Sequence, residues 1–248
     1  MMKPPLFGPG QRIGLFGGSF NPAHYGHYMV ALYALKRLQL DWVWWLVSPQ
    51  NPLKDPRETG EYDERLKFTK HIARHPRFVV TDIEEQVKSR NTAETLLALG
   101  QTMKRANFIW IMGADSFANL HKWHNWTDIA EALPLAFLAR PGYSIRALSG
   151  RAALRYATAR VKTDQAAKLV TQKTPAWVFL PMPLRPESST AIRNLNQPSR
   201  SSKQRPQKPI KDKTPEKALQ EDFRQIKIRE SSKTRKLLKA SAQDRSRT

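Results

Sequence analysis

The chain has 248 residues, 40% hydrophobic and 25% charged, which fits a soluble globular protein with one large domain or two small ones. It contains no cysteine, which excludes disulfides, thiolate metal sites and a cysteine nucleophile, and no apolar run resembles a signal peptide or a bilayer-crossing helix. The formal net charge of +21 is uneven: residues 198–248 hold 16 of the 42 Lys and Arg residues but only 6 of the 21 acidic ones. The expectation is a soluble cytoplasmic protein whose basic body and more basic tail suit polyanionic partners.

In chain order, the apolar run 12–16 ends in Gly17-Gly18 and predicts a buried strand. After a proline-containing loop, apolar residues at helical spacing predict a helix over 28–40. The aromatic and β-branched run 42–47, closed by Ser48-Pro49, predicts a second strand. Strand, helix and strand in succession form a βαβ unit, hence a parallel sheet. The alternation continues with a helix over 62–74, a strand over 77–81, a helix over 92–105 and a strand over 107–112. A helix through Asn119, another over 126–132, a strand over 134–139, an Ala-rich helix over 150–170 and a last strand over 176–180 complete it. The pattern predicts a Rossmann-like, doubly wound α/β fold over residues 10–197. Beyond Asn196 apolar content collapses, and 198–248 reads as a basic, largely disordered tail.

The segment Gly17-Gly18-Ser19-Phe20-Asn21-Pro22-Ala23-His24-Tyr25-Gly26-His27 follows the first strand and opens the first helix. That is the carboxyl edge of the sheet, where open α/β folds bind ligands. The glycines allow close backbone approach, and free N–H groups at a helix start attract anions. His24 and His27, three apart, fall on one side of the first turn and suit phosphate oxygens. Taken alone, a glycine-rich turn is weak evidence, and histidines at this spacing are more often surface or capping groups. A metal pair would want a third protein ligand, and none stands out. Near the end of the domain, Ser188-Ser189-Thr190-Ala191-Ile192-Arg193 repeats the anion-binding logic with hydroxyls, a helix start and an arginine fork.

The first segment resembles the G-x-F-x-P-x-H-x-G-H signature of the nucleotidyltransferase superfamily, and Ser188 to Arg193 resembles its S-S-T-x-I-R signature. Asn91-Thr92-Ala93-Glu94-Thr95-Leu96, Ile111 to Phe117 followed by Leu120 and Trp123, and Arg140-Pro141-Gly142-Tyr143 resemble segments of bacterial nicotinate-nucleotide adenylyltransferases in particular. The resemblance spans about 10–197 and implies transfer of AMP from ATP to nicotinate mononucleotide, giving deamido-NAD and pyrophosphate. It implies catalytic roles for His24, His27 and Arg193. ATP would meet Gly17, Gly18, Ser19, Phe20, Gly26, Gly113, Asp115, Ser188 and Ser189. Thr92, Trp123, His124, Trp177 and Lys54 would meet the second substrate, with Trp123 stacked on the pyridine ring and Trp177 at the far wall of its pocket. Mg²⁺ would be held mainly by the ATP phosphates. One departure concerns the loop after the second strand, where Pro49-Gln50-Asn51-Pro52-Leu53-Lys54 lacks the family's histidine and leaves Lys54 as its replacement.

Two other readings stay open. A related transferase acting on phosphopantetheine or on the amide nucleotide shares the same motifs. A nucleic-acid-binding module on a degenerate transferase fold is suggested by the tail's charge, which offers nonspecific phosphate contact, although Phe223 is the tail's single aromatic.

Overall fold

The computed structural model describes residues 5–49, 59–89, 91–183 and 188–196. The expected tail and Lys54 lie outside the described residues. At the centre is β1 (Arg12–Gly18), flanked by β2 (Trp42–Val47) on one side and β4 (Asn107–Gly113) on the other. β3 (Phe78–Thr81) pairs outside β2, and β5 (Leu135–Leu138) and β6 (Trp177–Leu180) extend the sheet beyond β4. All five pairings are parallel, in the order β3-β2-β1-β4-β5-β6. The order reverses next to β1, and the carboxyl ends of β1 and β4 therefore frame the crevice where such sheets take ligands.

Strands buried on both faces need continuous apolar runs, and these supply them. Trp44 and Trp45, adjacent in β2, point to opposite faces and are both fully buried. Trp44 joins the larger core with Leu15, Phe108 and Trp110. On this face lie α4 (Thr92–Thr102) and α6 (Trp126–Ala132), through Leu96, Leu99 and Ile129. Trp45 meets Phe16, Phe20 and Phe78 on the other face, with α1 (Tyr25–Arg37) and α2 (Tyr62–Ile72). Short helices α3 (Ile83–Val87) and α5 (Ala114–Ala118), and a 3-10 turn at Leu120–Lys122, lie in the loops after β3 and β4; α7 (Ser144–Leu148) follows β5. The last described helix is α9 (Ser189–Asn196).

The expected Ala-rich helix over 150–170 is broken into α8 (Arg151–Arg155) and two 3-10 stretches, Ala157–Ala159 and Thr163–Thr171. Edge strand β6 is the cause. Arg160 bridges to Trp177, the Val161 N–H donates to the Trp177 carbonyl at 2.8 Å, and Trp177 Nε1 donates to the Tyr156 carbonyl at 2.7 Å. Covering the sheet edge overrides alanine's helix propensity there. Among the described residues no helix is long and apolar enough to cross a membrane.

Candidate active site

The turn after β1 brings backbone and imidazoles to the sheet's rim. A Cβ on Gly17 would overlap the Trp110 ring, so only glycine lets β1 and β4 close here. Phe20 takes a left-handed conformation, φ 43°, and buries its ring against Phe16 and Trp45. The expectation put both histidines within the first helical turn. His24 is instead the extended N-cap of α1, and His27 is its third residue. The His24 N–H donates to His27 Nδ1 at 3.2 Å, and the two rings lie 3.8 Å apart between centroids. With Nδ1 accepting, the neutral His27 ring carries its proton on Nε2. Phe20 meets the His27 ring edge to face at 5.1 Å and limits its rotation. Burial, with the Arg140 guanidinium adding to it, lowers the His24 pKa from 6.5 to about 4, so this imidazole is neutral at physiological pH.

The second signature closes onto the first. Ser189 Oγ at the start of α9 donates to the Pro22 carbonyl at 3.0 Å, and Arg193 Nη1 donates to the Asn21 carbonyl at 2.6 Å. Segments more than 160 positions apart are thus hydrogen-bonded to one another. Arg193 holds the loop's backbone here, while Ser188, Ser189 and Thr190 face the cleft.

That cleft has a volume of about 840 Å³. Gly17, Gly18, Ser19, Phe20, His24 and His27 line it together with Gly113 and Asp115 from the β4 turn. Asn91, Thr92, Lys122, Trp123 and His124 also line it. Asn91 caps α4, accepting the Glu94 N–H at 3.1 Å, so Thr92 is not the cap and its own N–H remains at the helix end. Trp123 follows the 3-10 turn, half-buried, and His124 is exposed.

Three expected residues do not line the cleft: Arg193, whose guanidinium is turned to the Asn21 carbonyl and Thr190 Oγ1, Trp177 and Gly26. Trp177 is 3% exposed, packed on Phe117 and Phe137 in the core, and does not line the cleft. A strand residue of β6 with its indole N–H fixed to Tyr156 is part of the sheet's packing. Gly26 is buried inside the first turn of α1 and is likewise absent from the lining.

Several lining residues were given no role from the sequence, Arg140 being quoted only as part of the Arg140-Pro141-Gly142-Tyr143 loop. Arg140, just beyond β5, sits 3.6 Å from Asp115, and a Cβ on Gly113 would overlap the Asp115 carboxylate. The rule that ligands gather beyond strand ends would have found Arg140. Glu84, 7% exposed in α3, hydrogen-bonds Ser48 at the end of β2, and burial raises its pKa from 4.5 to about 7. No sequence signal marks it.

A switch-point crevice lined by a glycine turn, imidazoles and hydroxyls is the mark of a nucleotide-binding α/β domain. Residues 15–195 match the family described as Cytidylyltransferase-like, and the chain belongs to that family. Relatives named "Probable nicotinate-nucleotide adenylyltransferase" include one from Methylorubrum extorquens, 48% identical over 182 residues, covering 73% of this chain and 98% of its own length. Others are from Cereibacter sphaeroides, 50% identical with 73% and 96% covered, and Brucella suis, 43% identical with 74% and 94% covered. Among solved structures, the Plasmodium falciparum nicotinic acid mononucleotide adenylyltransferase complexed with NaAD superposes with a TM-score of 0.55, covering 74% of this chain and 83% of that one. At 16% identity this likeness concerns the fold.

Proposed function

We propose that the protein is a nicotinate-nucleotide adenylyltransferase of the cytoplasm. The observation that carries this is one cleft lined both by the two histidines with Ser188 and Ser189 and by Thr92 with Trp123. The first group suits a triphosphate. His27 offers Nε2–H, neutral His24 offers one donor, and Arg193, bonded to the Asn21 carbonyl and Thr190 Oγ1, holds the turn that presents them. The second group suits a pyridine carboxylate, since the N-terminus of α4 favours negative charge and an indole face can stack on the ring. His124 also lines the cleft.

Held in line, a phosphate oxygen of nicotinate mononucleotide forms a bond to the α-phosphorus of ATP as the bond to the bridging oxygen breaks. The bridging electron pair leaves with pyrophosphate, and AMP is now joined to the mononucleotide. His24 and His27 position the phosphates and offset the charge gathering on the leaving group, and Arg193 holds the turn that carries them. Among the described residues no three His, Asp or Glu side chains cluster into a metal cage. Asp115, whose Oδ1 makes no hydrogen bond but lies 3.6 Å from Arg140 Nε, would stand beside a Mg²⁺ held mainly by phosphate oxygens. When bound, the ion supplies charge neutralisation on the triphosphate.

The test is product analysis with ATP, Mg²⁺ and either the acid or the amide mononucleotide. The expected result is deamido-NAD and pyrophosphate in equal amounts, with the acid preferred about 100-fold or more in kcat/KM. Equal use of the amide, or preference for phosphopantetheine, would refute the substrate assignment.

A further inference from the structure

Arg65 is a buried cation in α2, 4% exposed, and its sequence context gives no hint of a function. Its guanidinium is directed at backbone. Nε donates to the Gly60 carbonyl at 2.8 Å, Nη1 to the Ser19 carbonyl at 2.6 Å and the Ser48 carbonyl at 2.8 Å, and Nη2 to the Pro49 carbonyl at 2.6 Å. The Tyr62 ring lies 5.4 Å from the guanidinium carbon. One planar group thus joins the turn after β1, the end of β2 and the chain entering α2. A fork with five fixed donors can do this, and a point-charge ammonium cannot.

The consequence lies in the turn itself. Because C=O and N–H of one peptide point oppositely, holding the Ser19 carbonyl turns the Phe20 N–H away from Arg65. Phe20 has φ 43°, a region costly for a residue with a side chain, and it persists where its surroundings enforce it. Ser19 and Phe20 both line the cleft. Further along the turn, Arg193 holds the Asn21 carbonyl and Ser189 the Pro22 carbonyl, so the loop's carbonyls are gripped from outside along its length.

We infer that Arg65 is a positioning residue for the transfer reaction, fixing the Ser19–Phe20 peptide and the β1–β2 rim so that the turn meets the triphosphate in one geometry. This rests on the adenylyl-transfer reading above. A misplacement of about 1 Å at such a rim costs on the order of 100-fold in rate.

The experiment compares wild type with Arg65→Lys and Arg65→Gln, each assayed per mole of folded protein, with melting followed by circular dichroism. A wild type with no adenylyl transfer would refute the parent reading before any variant is considered. With an active wild type, Arg65→Lys is expected to melt within about 5 °C of it, and its kcat to fall about 100-fold. The KM for nicotinate mononucleotide should move less than about threefold, because the pyridine end is assigned to Thr92 and Trp123, to which Arg65 makes no hydrogen bond. Millimolar guanidinium should restore part of the kcat of Arg65→Gln. Wild-type kcat in folded Arg65→Lys, a loss that only tracks the folded fraction, or failure of both variants to fold would each overturn the inference.

Discussion

His24 and Glu84 are both buried at the cleft, and their pKa values are displaced in opposite senses. His24 falls to about 4, so between pH 6.5 and 4 the unfolded chain takes up a proton that the folded chain refuses. Its contribution to stability is present above pH 6.5 and is lost as the pH falls to about 4. Glu84 rises to about 7, so its contribution is full below pH 4.5 and is lost as the pH rises through about 7. Each is worth roughly 3 kcal/mol at most, and between pH 4.5 and 6.5 the two slopes oppose. Wild type should therefore show a shallow pH dependence in that window. Urea midpoints for Glu84→Gln should gain on wild type as pH rises from 4.5 to 8, and parallel curves would contradict the assignment. His24→Ala and His27→Ala should each lower kcat at least about 100-fold while the far-ultraviolet spectrum is unchanged. Near-normal turnover in the folded variants would remove both from the catalytic centre. Neither Arg65 nor Glu84 was legible in the sequence, because the burial of a charge depends on which loops close over it. The histidine pair was legible through its spacing beside a glycine-rich turn, although the spacing left open that His24 stands outside the helix.

At the scale of elements, the alternation of apolar runs and helical periodicities gave all six strands with ends within two residues of those observed. Continuous runs such as 107–112 are unambiguous because both faces of a parallel strand are covered. Local propensity failed over 150–170, where the carbonyl row and N–H groups of β6 capture residues 160 and 161. The same strand explains the misplaced tryptophan: sequence gives two indoles near plausible pocket walls, and only the register of β6 sends Trp177 into the core. The two should therefore separate experimentally. Trp177→Ala is expected to cost about 3–5 kcal/mol of stability, read from urea unfolding, with little change in the KM for nicotinate mononucleotide of the folded fraction. Trp123→Ala should melt near wild type and raise that KM about 10-fold, the loss of roughly 1.4 kcal/mol of stacking. A reversed pattern would return Trp177 to the pocket.

For the whole molecule, the matched family region ends at residue 195, and the described residues of the cleft all precede it. A chain truncated after Asn196 should keep kcat and KM within about twofold of the full chain in steady-state assays, because every described lining residue is retained. Retention of the full chain on immobilised RNA at low salt, lost on truncation, would give the basic segment 198–248 a polyanion-binding role of its own. The central claim is that the turn after β1 and the start of α9 converge on a single triphosphate. A crystal structure of the complex with a non-hydrolysable ATP analogue and nicotinate mononucleotide tests it most directly. The account predicts phosphate oxygens within hydrogen-bonding distance, about 3 Å, of His24 or His27 and of the α9 serines, with the pyridine ring over Trp123. Phosphates bound away from that rim, or a mononucleotide seated outside the Thr92–Trp123 wall, would contradict it.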